Sequence, residues 1–167
     1  MSRTSAVKTN AVRLLESAGI VFTAHEYPVD DGLIDARSIA RKLGRSPDEV
    51  FKTLVAETPA HEYYVFVIPA AGELDLKKAA QAAQRKSIDM IPQKLLFPLT
   101  GYVHGGCSPV GMKKLFPTFI DETAQLFDVM FVSGGKVGLN LEIAPDLLCS
   151  FIQAQYADLT KNQNNMT

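Results

Sequence analysis

Lys52 is the single charge in the run Val50-Phe51-Lys52-Thr53-Leu54-Val55-Ala56. On a strand it shares a face with Val50, Leu54 and Ala56, so its ammonium either snorkels off a sheet edge or is held in a partly desolvated pocket. The segment Gly105-Gly106-Cys107-Ser108-Pro109 can do chemistry with its backbone. Adjacent glycines let N–H groups come close to a ligand, and a proline after the serine stiffens the exit. The result is a wall of donors suited to a carboxylate, a carbonyl or a developing oxyanion, although the same residues also suit a plain β-turn. Ser133-Gly134-Gly135 is a second glycine turn, with a hydroxyl at its base. His104 and Cys107 raise a Cys-His nucleophile, but no third, orienting residue is evident, and a buried cysteine beside a turn histidine is the expectation. Two glycine motifs are excluded by spacing. A nucleophile elbow fails because Val110 stands where its last glycine should be and Pro109 lacks the N–H it would donate. A phosphate-binding P-loop around Gly135-Lys136 fails at Met130 and Val137.

The elements that must position these residues follow from periodicity. Ser5 to Ala18 is an amphipathic helix with Gly19 placed for a left-handed stop, and Val21 to Tyr27 reads as a strand ended by Pro28. A short helix spans Asp35 to Leu43, stopped by Gly44. Val50–Glu57 and Glu62–Ile68 read as an antiparallel pair, and Leu74 to Gln84 as a helix. Short strands are expected near Ile88–Met90, Tyr102–His104, Thr118–Asp121 and Val129–Val132. A hairpin through Ser133–Lys136 leads into Gly138–Ile143, where Leu139, Leu141 and Ile143 share one face and Asn140 and Glu142 the other. A final helix starts at Pro145. Mixed short strands and helices without regular β-α-β alternation give an α+β fold with a mixed, barrel-like sheet core and surrounding helices. One domain over 1–158 with a polar tail over 159–167 is expected, without repeats or an interdomain linker.

Composition narrows the function. The chain has 167 residues, 47% hydrophobic and 21% charged, with 17 Lys+Arg against 18 Asp+Glu and a net charge of -1. That balance excludes a strongly basic autonomous nucleic-acid binder, so any contact with RNA must come from a local patch. No run approaches a membrane span, and the first ten residues do not read as a signal peptide, so a cytoplasmic location is expected. Cys107 and Cys149 lack C-x-x-C spacing, and His25, His61 and His104 are scattered, so neither a metal nor another cofactor is expected.

Taken in order, Phe51-Lys52-Thr53-Leu54, Leu74-Asp75-Leu76-Lys77-Lys78, Thr100-Gly101-Tyr102, Gly105-Gly106-Cys107-Ser108-Pro109-Val110-Gly111-Met112-Lys113-Lys114 and Ser133-Gly134-Gly135-Lys136 resemble the YbaK/EbsC family, in its YbaK branch. The resemblance implies a free-standing aminoacyl-tRNA deacylase that removes cysteine mischarged onto proline tRNA, and a fold shared with the editing domain of prolyl-tRNA synthetase. Such an activity has a physical reason: cysteine is no larger than proline, so a synthetic site shaped for proline cannot exclude it sterically. By resemblance Lys52 is the residue on which activity depends, Tyr27, Gly105, Gly106, Ser108, Pro109, Ser133, Gly134 and Gly135 bind substrate, and the substrate's own thiol attacks its ester. The partners implied are Cys-tRNA(Pro) and, in a transient complex, prolyl-tRNA synthetase. Candidate RNA contacts are Lys77, Lys78, Arg85, Lys86, Lys113, Lys114 and Lys136. A module that holds aminoacyl-tRNA or a nucleotide-like ligand without turnover is the alternative. The chain departs from its relatives at Cys107, Val137 and Pro28-Val29, which bears on amino-acid preference.

Overall fold

The computed structural model describes residues 8–162. Helix α1 (Asn10–Ser17) buries Ala11, Val12 and Leu15, its Thr9 hydroxyl accepts the Val12 N–H, and Gly19 follows at φ +71°. The first residues of the helix expected from Ser5 lie outside the described residues. Strand β1 (Thr23–Glu26) leads to α2 (Ala36–Leu43), where Asp35 caps through Ser38 and Gly44 closes in the left-handed region. Next come β2 (Phe51–Glu57), β3 (Tyr63–Pro69), α3 (Leu76–Ala83) and β4 (Asp89–Met90). A one-turn 3-10 segment then runs into α4 (Leu96–Thr100). The remaining elements are β5 (Thr118–Asp121), β6 (Met130–Ser133), β7 (Leu139–Ile143), α5 (Pro145–Phe151) and β8 (Gln155–Ala157).

The fold is α+β, and its strands form two sheets among the described residues. One has the order β4-β2-β3-β5-β8, antiparallel about β2 and parallel about β5; the other is the antiparallel set β1-β7-β6. A parallel bridge from Val50 to Phe131 joins them, with the Phe131 N–H donating to Glu49 O at 3.0 Å, and no closed ring of strands is formed among the described residues. The mixed sheet follows from the sequence pattern. Its core has three parts. Phe51, Val55, Val65 and Val67 pack with α1, Leu139, Leu141 and Ile143 between the two sheets. Ala56, Phe66 and Ile68 pack beneath α3 on the opposite face of the larger sheet. Tyr27, Ile39, Ala40, Val50 and Phe131 form a smaller cluster under α2.

One sequence expectation differs from the structure, and one strand has no counterpart in the sequence reading. Tyr102–His104 is a loop, not a strand, because local bonds capture its backbone: the Tyr102 N–H donates to the Thr100 hydroxyl at 3.0 Å, and Val103 O accepts the Gly106 N–H at 2.9 Å. Strand β8 carries no signal in three residues of its own; its pairing with β5 makes it a strand. Beyond it, Leu159 is fully buried, its N–H donates to Asp121 Oδ1 at 3.0 Å, and Thr160 bridges Leu74.

Candidate active site

The register of β2 explains where the site lies. The Ala70 N–H donates to Val50 O at 2.7 Å, and antiparallel alternation then directs the N–H and C=O of Lys52 toward β3 and those of Thr53 away from it. The same alternation puts Pro69 opposite Phe51 at a position that needs no ladder N–H. On the far side, β4 covers only Ala56 and Glu57, and the β6 bridge reaches only Val50. Between them β2 has an edge without a strand beside it among the described residues, from Phe51 to Leu54.

A cavity of about 300 Å³ opens along that edge, in the size range of small-ligand sites. Its walls include Ile34 to Arg37 at the start of α2, Phe51 to Leu54 of β2, Leu96 of α4, the loop residues His104, Gly105 and Cys107, and Ser133 with Asn140 from the β6–β7 hairpin. A larger open groove of about 420 Å³ lies by Asp48 and Thr123, but its buried acid, Asp121, is fully engaged by the Thr123 N–H and hydroxyl and the Leu159 N–H. The Lys52 cavity holds the free polar groups.

Lys52 is half-buried in the wall, and among the described residues its ammonium makes no hydrogen bond or ion pair. Burial pushes its pKa below the ordinary lysine value and Arg37 adds to this, while Glu73 and Asp35 pull the other way. Asp35 stays ionised, because Ser38 donates both its hydroxyl and its N–H to the carboxylate. A titration of Lys52 followed by NMR at its Cε should give a midpoint below that of a free lysine. A midpoint at or above the ordinary value would mean that the two carboxylates outweigh burial.

Thr53 Oγ1 and Asn140 Oδ1 are the buried side-chain polar atoms without a hydrogen-bond partner among the described residues, and both residues line this cavity. An unpaired buried polar atom costs free energy, so two in one small cavity favour a ligand that completes them. Sequence reasoning passed over both residues. Thr53 sits on the opposite face from Lys52, and Asn140 reads as the ordinary polar side of a hairpin strand.

Of the residues expected in the site, Lys52, Gly105 and Ser133 line the cavity and six do not. The Gly106 N–H is spent on Val103 O at 2.9 Å, and a Cβ there would meet Val137 N at 2.8 Å, so Gly106 is where the 104–107 loop touches the hairpin. Ser108 is fully buried and its Oγ accepts the Val110 N–H at 3.2 Å, which makes it a brace within the loop. Pro109 borders a separate hollow with Leu14 and Phe116. Gly134 packs on Leu139 and Gly135 on Tyr102 and Thr9. Tyr27 belongs to the cluster under α2, with its ring 5.9 Å from the Lys42 ammonium. Lys42 also donates to Pro28 O, Leu33 O and Asp31 Oδ1, pinning the loop that carries Ile34 to the wall. The N–H groups of Gly105 and Cys107 take no partner among the described residues. The thiol of Cys107 is pushed up to about 12 by burial, so it is not a thiolate at neutral pH.

Together these features describe a small pocket walled by the unpaired Lys52 ammonium, the Arg37 guanidinium and the Asp35 carboxylate, with two free amides in its loop and two unsatisfied side-chain groups. Comparison with known proteins adds relatives. A family model described as the aminoacyl-tRNA editing domain matches residues 32–151. EbsC of Enterococcus faecalis, whose name places it among Cys-tRNA(Pro)/Cys-tRNA(Cys) deacylases, is 40% identical over 156 residues, spanning 93% of this chain and 95% of that protein. A crystal structure described as a trans-editing enzyme for prolyl-tRNA synthetase aligns with TM-score 0.81 at 25% identity, covering 94% of this chain and all of that one. A hypothetical protein aligns with TM-score 0.83 at 22% identity over 92% of this chain and shares the fold.

Proposed function

The chain belongs to the aminoacyl-tRNA editing domain family, and we propose that it is a free-standing deacylase that hydrolyses cysteine mischarged onto tRNA(Pro). The observation that carries this reading is the unpartnered Lys52 ammonium in the wall of a cavity that also holds the unsatisfied Thr53 Oγ1 and Asn140 Oδ1. An aminoacyl ester is already a good electrophile. Its hydrolysis needs orientation and a counter-charge for the tetrahedral oxyanion more than it needs a triad. Lys52 supplies the charge, the Gly105 and Cys107 amides supply directed dipoles, and the braces at Ser108 and Tyr102 keep that wall from moving. Thr53 and Asn140 hold the polar ends of the aminoacyl group or its ribose. Tyr27, Gly106, Ser108, Pro109, Gly134 and Gly135 act from behind, by holding the walls in place.

The attacking group in this reading is the substrate's own thiol. Its sulfur bonds to the ester carbonyl as the ribose oxygen leaves with a proton, and water then opens the cyclic thioester. Cys107 has no part in that step because its proton is held. Cys107→Ser is expected to keep turnover within a few fold; loss of turnover with binding retained would instead mark a protein nucleophile.

The reading places the protein in the cytoplasm, where charged tRNA is made, as one domain over 1–158 against which Leu159 and Thr160 also pack. No described helix is long and apolar enough to cross a membrane. With a net charge of -1 the chain holds tRNA weakly, and prolyl-tRNA synthetase, which releases the mischarged product, supplies selectivity in a transient complex. The test is a deacylation panel over Cys-, Ala- and Pro-tRNA(Pro), with and without the synthetase. Rapid loss of cysteine with proline spared supports the assignment; hydrolysis of Pro-tRNA(Pro) at an equal rate contradicts it.

A further inference from the structure

The cations available for RNA contact are not equivalent in the folded chain. The Lys78 ammonium donates to Asp158 Oδ1, Thr160 O and Asn162 Oδ1 at 2.7–3.2 Å, and the Arg85 Nε donates to Glu62 at 2.8 Å. Both are committed to the protein. Lys113 is held differently. Its stem lies across Gly101, where a Cβ would come within 3.4 Å of its Cγ, and its N–H donates to Thr100 O at 3.0 Å. That path delivers the ammonium to 5.4 Å from the ring centroid of Phe97 and 3.4 Å from Pro98 O, with no carboxylate partner among the described residues.

Phe97 is 56% exposed, although it sits on α4 immediately after Leu96, which lines the Lys52 cavity. His104 on the same wall follows the exposed Val103, and Lys94 and Lys114 are exposed on segments flanking α4 and Lys113. A ring left in water beside a fixed cation and next to the cavity wall has the two parts that unpaired RNA needs. Aromatic faces stack bases without regard to sequence, and a lysine takes the adjoining phosphate. The surplus of positive charge favours a polyanion over an apolar protein surface.

We propose that Phe97 and Lys113 form a platform for the unpaired 3′ end of the tRNA, with a base stacked on the ring and its phosphate on Lys113. The inference rests on the deacylase reading and names the contact that would present the ester to the cavity. It can be tested apart from hydrolysis. A short single-stranded RNA ending in CCA, with 2-aminopurine in place of the last adenine, is titrated with the protein and its fluorescence followed. The wild-type protein and Phe97→Trp should bind and quench it. Phe97→Ala should abolish the quench and weaken binding by about ten-fold, the loss expected for one stacked base. Lys113→Glu should weaken binding and flatten its salt dependence, more than the same change at Lys86. Binding and quenching by Phe97→Ala that match the wild type would overturn the platform, as would a wild-type protein that does not bind the RNA. Loss of synthetase capture in Phe97→Ala with RNA binding intact would also overturn it, making the patch a protein interface. Because the probe carries no ester, failure of the deacylase reading leaves this outcome readable, and normal hydrolysis by Phe97→Ala with unchanged RNA binding sinks the platform alone.

Discussion

Lys52→Ala is expected to lower turnover of Cys-tRNA(Pro) by roughly a hundred- to a thousand-fold, the loss that follows removal of one preorganised oxyanion donor. Its fold should survive intact. The side chain lies on the β2 face beneath α3, but at the open end of that strand, and among the described residues its ammonium bonds to nothing that would be orphaned. Removing a partly desolvated cation also relieves a burial cost, so the melting temperature should stay level or rise. Turnover and circular dichroism measured on one preparation decide the matter. A folded variant with near wild-type activity would remove Lys52 from the mechanism. Lys52→Met, which keeps the stem and loses the charge, should be as inactive as alanine if the charge is what matters.

Gly106→Ala is expected to act on the architecture instead. The added Cβ would stand 2.8 Å from Val137 N and 2.9 Å from Lys136 C, both backbone atoms of the β6–β7 turn that cannot rotate away. The loop and the hairpin must separate, at a cost of about 2 kcal/mol by analogy with overpacked cores. For a chain of this size that is a fall of about 4–8 °C in melting temperature. The separation carries Gly105 and Cys107 away from Ser133 and Asn140, so activity should fall more than stability does. Gly44→Ala is the contrast: it has open space around it and only a left-handed φ of +69° to strain, costing about 1 kcal/mol, and α2 should keep the cavity active. Equal activity losses in the two variants would mean that loop contact does not set the site.

The helices, most strands and the candidate lysine are legible in the sequence because they rest on local signals. A density of β-branched and aromatic residues marks β2 and β3, Asp35 and Gly44 bracket α2, and an isolated lysine stands out in an apolar strand. The arrangement of the site rests on contacts between distant segments, which carry no local signal. Paired glycines at 105–106 are visible, but nothing nearby shows that the first faces the cavity and Ile34 while the second touches Lys136. Asn140 alternates with Leu139 and Leu141 as a polar residue should. It is buried because the opposite face of β7 is also covered. The expected strand at Tyr102 fails for the same reason in reverse: its aromatic and β-branched residues suit a strand, but the Thr100 hydroxyl and the Gly106 N–H take its backbone groups first.

The most direct measurement of the central claim uses the purified chain in small amount with excess Cys-tRNA(Pro), following ester-bound cysteine over time. The account predicts loss of many equivalents of ester per protein, at a rate far above the spontaneous one and abolished in Lys52→Ala. An ester half-life that is unchanged, or lengthened in proportion to the protein added, would contradict it and make the cavity a binding site without turnover.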